Sequence, residues 1–78
     1  MKRGEQAKII RDSFKNESWV LGEEEFKEVL KKTGIEENDS WFLVFLRDYV
    51  YTREGRVYIR PDKNSAAQNY LGFFIKGN

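Results

Sequence analysis

Apolar residues recur along the chain with two different periods, and the changes of period divide it into elements. Ala7, Ile10 and Phe14 fall at i, i+3 and i+7 with Ile9 beside them. Lys8, Arg11, Asp12 and Lys15 fall elsewhere, so the spacing predicts a first helix over residues 4–15. Asn16-Glu17 ends it, and Ser18-Trp19-Val20-Leu21 is a β-prone run too short for a helix. Phe26, Val29 and Leu30 form the apolar stripe of a second helix over residues 23–33. Glu23, Glu24 and Glu25 supply the acids that a helix dipole favours in its first turn. Lys31 and Lys32 occupy the last turn, and Gly34 is placed for a left-handed cap.

Residues 35–40 read as a turn rich in capping side chains, and a third helix is expected from about 39 to 52. It holds Trp41, Phe42, Leu43, Val44, Phe45, Leu46, Tyr49, Val50 and Tyr51, so it is apolar nearly all round. A helix of that kind is buried or covered by a partner. Thr52-Arg53-Glu54-Gly55 breaks the pattern, and Arg56-Val57-Tyr58-Ile59-Arg60 alternates as a strand does until Pro61 stops it. After a loop at 62–65, residues 66–76 carry both periods. Ala67, Tyr70, Leu71 and Phe74 have helical spacing, with Ser65 and Gln68 as a capping box, whereas Leu71, Phe73 and Ile75 have strand spacing. Strand and fourth helix both stand for this segment.

Seventy-eight residues allow one core, so the chain is read as a single α+β domain over 1–78. There is no cysteine to staple it, and stability must come from packing, for which six Phe, four Tyr and two Trp are well suited. No run approaches the ~20 apolar residues of a membrane-spanning helix. The first residues lead into a charged helix and not an apolar signal core, so cytoplasmic residence and no membrane partner are expected.

The net charge is only +1, but it is unevenly laid out. Residues 1–15 carry five bases against two acids, 16–40 three against eight, and 41–78 six against three. A chain of nearly zero net charge can therefore still present a basic face.

The order helix, short strand, helix, turn, apolar helix, strand resembles the winged helix-turn-helix family. The residues that carry the resemblance are Phe26-Lys27-Glu28-Val29-Leu30-Lys31-Lys32-Thr33-Gly34-Ile35, the third helix after them, and Arg56-Val57-Tyr58-Ile59-Arg60 where the family has the first strand of its wing. The resemblance implies a last wing strand at about 70–76, a wing tip at about 61–68, and DNA binding through the third helix and the wing. On the third helix the positions turned away from the expected core are Ser40, Val44, Arg47, Asp48 and Tyr51, a poor set for reading bases. Arg53, Arg56, Arg60 and Lys63 make the wing region richer, so phosphate contact is expected there, with Arg47 and Tyr51 nearest the groove. A solvated edge strand protected by charge is the other reading of Arg56, Arg60 and Lys63.

Gln68-Asn69-Tyr70-Leu71-Gly72-Phe73-Phe74-Ile75 also resembles the sliding-clamp-binding peptide, with Gln68, Leu71 and Phe74 in place and Ile75 where an aromatic is usual. The reading that weighs more is that these residues close the hydrophobic core of a domain that needs every aromatic it has. Histidine and cysteine are both absent, which removes the usual general base, the thiol nucleophile and the commonest metal ligands. No phosphate loop or nucleophile elbow occurs. The expectation is a binding protein with no catalytic residues, no metal and no cofactor: a DNA-binding regulator of transcription or replication. The alternative is a protein-interaction module or accessory subunit, using Gln68, Leu71, Phe74 and Ile75 on an exposed aromatic surface. Homodimerisation through that surface suits either.

Overall fold

The computed structural model describes residues 1–77. In chain order they form α1 (Arg3–Asn16), β1 (Val20–Gly22), α2 (Glu23–Thr33), α3 (Ser40–Tyr49), β2 (Val50–Arg53), β3 (Arg56–Ile59), a 3₁₀ turn (Pro61–Lys63) and α4 (Asn64–Lys76). The result is an α+β domain with four α-helices and one three-stranded antiparallel sheet among the described residues.

Helix α1 buries Gly4, Ala7, Ile10 and Phe14 along one stripe. It ends in a Schellman motif, with Trp19 N–H donating to Phe14 O at 2.6 Å and Ser18 N–H to Lys15 O at 3.3 Å. That motif needs a left-handed residue, and Ser18 takes it at φ 56°, followed by Trp19 at φ 72°. Helix α2 ends as its sequence predicts: Gly34 is left-handed at φ 69° and its N–H closes on Leu30 O at 3.0 Å. Helix α3 starts at a genuine N-cap, because Asp39 Oδ1 accepts from Trp41 N–H at 3.0 Å and Phe42 N–H at 3.3 Å.

Helix α3 stops at Tyr49, three residues before the expected 52. Val50-Tyr51-Thr52 is a β-branched and aromatic run, and it gains more by pairing with β3 than by continuing the helix. Val50 pairs with Ile59, Tyr51 with Tyr58, Thr52 with Val57 and Arg53 with Arg56. The connection is Glu54-Gly55, with φ 50° and 74°, so both residues are left-handed as in a type I′ hairpin turn. On its other side β3 pairs with β1, giving the order β1-β3-β2. Residues 56–59 are thus a central strand, and the edge-strand reading is corrected.

Residues 66–76 belong to a helix, which removes the expected last wing strand at 70–76 and the wing tip at 61–68. Both edges of β3 are already taken, leaving no open edge beside it. Helical spacing instead buries Ala67 and Leu71, while Phe73, a residue of the strand-spaced set, is 73% exposed. Ser65 and Gln68 form no capping box: the N-cap of α4 is Lys63, two residues earlier, and the Gln68 amide donates to Asn64 Oδ1.

The core is aromatic. Phe14 meets Phe26 and Phe45 with ring centroids 5.8 and 6.5 Å apart, and burial of each such ring contributes about 2–3 kcal/mol. Trp41 stacks on Phe45 and Tyr70 and takes Phe74 edge-on. Tyr70 Oη donates to Trp41 O at 3.1 Å, while Trp41 Nε1 is buried without a partner among the described residues. Arg3 ties α1 to the turn before α3, with its guanidinium 2.8 Å from Asp39 Oδ2 and 4.7 Å from the Trp41 ring centre. Gln6 donates to Thr33 O at 3.1 Å at the end of α2.

Candidate nucleic-acid interface

Alternation along β3 sorts its side chains by face: Val57 and Ile59 are buried, while Arg56 and Tyr58 point outward. The register then places Tyr51 beside Tyr58 and Arg53 beside Arg56 on the same outer face. The two tyrosine rings stack at 4.8 Å with 9° between their planes. Arg60 follows Tyr58 by two residues, and its guanidinium lies 5.8 Å from the Tyr51 ring centre. Its N–H donates to Tyr49 O at 2.9 Å, which fixes the backbone just beyond β3. Three arginines therefore bracket a tyrosine pair on one surface.

Of the expected site residues, Tyr51, Arg53, Arg56 and Arg60 come together in this way. Tyr58 joins them, although sequence reasoning did not single it out. Its signal was present in the alternation of residues 56–60, but it had no visible partner while Tyr51 was assigned to a helix.

Arg47 and Lys63 do not belong to the same cluster. Arg47 is exposed on α3, and its guanidinium makes a two-point pair with Asp48, Nε to Oδ1 at 2.9 Å and Nη2 to Oδ2 at 3.2 Å. The hydrogen bond from Arg47 holds the Asp48 carboxyl below the usual carboxylate range, and the charge of Lys63 adds to this. Lys63 lies exposed in the 3₁₀ turn beyond β3. Ser40, Leu43 and Val44 complete the outward side of α3, with Leu43 48% exposed.

Among the described residues, Glu54 and Glu23 meet the sheet at its hairpin end. Arg53 Nε is 4.0 Å from Glu54 Oε1, and Glu23 at the start of α2 donates its N–H to Gly55 O at 2.9 Å. Arg56 and Arg60 make no ion pair among the described residues.

The alternative partner-binding residues lie on α4. Leu71 is 2% exposed, Phe74 packs at 5.3 Å from both Trp41 and Tyr70, and Ile75 is half-buried against the same core. Gln68 alone of the four is exposed. A clamp-type contact through Leu71 and Phe74 would require α4 to leave the core. No group of three or more acidic side chains able to hold a metal ion occurs among the described residues, and none of their helices is long and apolar enough to cross a membrane.

No protein-family model, curated protein or solved structure matches this chain.

Proposed function

We propose that the domain is a DNA-binding protein of winged-helix type, a regulator and not an enzyme, whose contact surface is the outer face of the sheet. The element order α1-β1-α2-α3-β2-β3, with the strands arranged β1-β3-β2, supports the architecture. On this reading the wing is the β2–β3 hairpin with its tip at Glu54-Gly55. The observation that carries the function is the grouping of Arg53, Arg56 and Arg60 around Tyr51 and Tyr58 on one surface. Guanidiniums in that setting bind phosphate oxygens with good geometry, and tyrosine hydroxyls can add donors.

The test is a titration of labelled duplex DNA across salt. Affinity should fall steeply between about 50 and about 200 mM salt, because neutralised phosphates release counterions. Replacing Arg53, Arg56 and Arg60 together by Ala should abolish binding at the higher salt. Affinity that does not change with salt would sink the reading.

Leu43 on α3 and Phe73 on α4 favour a second reading, in which the same fold docks a protein or a second copy of itself. Sedimentation of the wild type and of Leu43→Ser with Phe73→Ser tests self-association, which requires a concentration-dependent mass that the double variant loses.

A further inference from the structure

Resting on the nucleic-acid reading above, we infer that the sheet face grips the phosphate backbone of a double helix without reading sequence and without stacking on bases. Three observations carry this. The first is the attitude of the tyrosines. Neighbouring strands lie about 4.8 Å apart. Rings from paired residues on such strands, with centroids 4.8 Å apart and planes 9° from parallel, lie face to face across the two strands. Each ring covers one face of the other, and Tyr51 is further engaged by Arg60. A single-strand platform needs ring faces open to bases, and here one face of each ring is taken by the other.

The second observation is an unbalanced pair of cations. Arg53 and Arg56 occupy directly opposed register positions, where like charges repel. Glu54 relieves only Arg53, and at 4.0 Å. A phosphate between the two guanidiniums removes the repulsion. Arg60, four residues from Arg56 and so roughly 13 Å along the strand, extends the contact to further phosphates.

The third observation is the disarming of α3. Its one outward guanidinium, Arg47, is closed onto Asp48 by two hydrogen bonds, and Leu43 and Val44 offer no hydrogen bonds to base edges, which leaves the Ser40 hydroxyl in the first turn as a short donor. Direct readout needs free donors and acceptors at those positions.

The experiment measures polarisation of labelled oligonucleotides: several DNA duplexes of unrelated sequence, one RNA duplex and the matching single strands. All unrelated DNA duplexes should bind within about threefold of one another, and single strands at least about tenfold more weakly. Arg53→Ala, Arg56→Ala and Arg60→Ala should each lower the slope of log affinity against log salt by about 1, equally for every duplex sequence. Circular dichroism confirms that these exposed substitutions leave the fold intact. A duplex RNA that binds as well as or better than DNA supports the inference and assigns RNA as the source of the backbone. A DNA sequence preferred by about 100-fold, or single strands bound more tightly than duplexes, overturns the inference while leaving the nucleic-acid reading in place. Absence of salt-dependent binding to every probe overturns both.

Discussion

Ser18 and Glu54 each hold a left-handed backbone conformation that a side chain disfavours by roughly 1–2 kcal/mol. They do so for different reasons: Ser18 closes the Schellman end of α1, and Glu54 is the first residue of a type I′ turn. Replacing Ser18 by Gly, or Glu54 by the Asn that such turns favour, should each stabilise the fold by about 0.5–1 kcal/mol. On a domain of this size that is a rise in melting temperature of roughly 2–8 °C, read by circular dichroism. Asp39 makes the opposite case. Burial works to raise its carboxyl pKa, but the hydrogen bond from Arg3, the N–H groups of Phe42 and Trp41 and the charge of Arg3 outweigh it. The folded value therefore lies below the ordinary 3.8, and the ionised form binds the fold more strongly. Its stabilisation is complete above that ordinary value and is lost as the pH falls through the lower, folded one. In Asp39→Asn the melting temperature should be lower at neutral pH and should fall less steeply below pH 4 than in the wild type.

The elements differ in how plainly the sequence announced them. Helix α2 was legible down to its Gly34 cap, because its apolar stripe, its first-turn acids and its terminal glycine all agree. The end of α3 was not, since Tyr49, Val50 and Tyr51 extend an apolar run that either period can accommodate. What decides it is the pairing of Val50 with Ile59, a cross-strand contact that the period along a single element does not report. The same gap hid Tyr58: Tyr51 and the arginines stood out along the chain, but the Tyr51–Tyr58 pair exists only once β2 is a strand. Helix α4 was left between two periods that a pair of substitutions separates. Leu71→Ala should cost about 2–5 kcal/mol, and Phe73→Ala less than about 0.5, by denaturant unfolding. Similar costs at both positions would contradict the helical phase.

For the molecule as a whole, charge is segregated and not merely mixed. The surplus of acids falls in residues 16–40, and the start of α2 brings Glu23 against the hairpin turn, so the cationic sheet face has an acidic border on one side. Such a border limits how far a polyanion can spread past the hairpin tip. Glu23→Gln should therefore raise duplex affinity at low salt by about 2- to 5-fold, with the gain shrinking as salt screens it. A titration at two ionic strengths checks this, and an unchanged affinity at both would place the nucleic acid away from the tip.

Helices α1 and α4 form the most extensive contact between any two elements, although nearly fifty residues separate them in the chain. That arrangement bears on synthesis. Helix α2 and the β2–β3 hairpin are local and can form as soon as they leave the ribosome, but the part of α1 that packs on α4 gains its full cover only when residues 64–76 have emerged. Until then an apolar stripe of α1 stays open, and α4 is the helix that seals it.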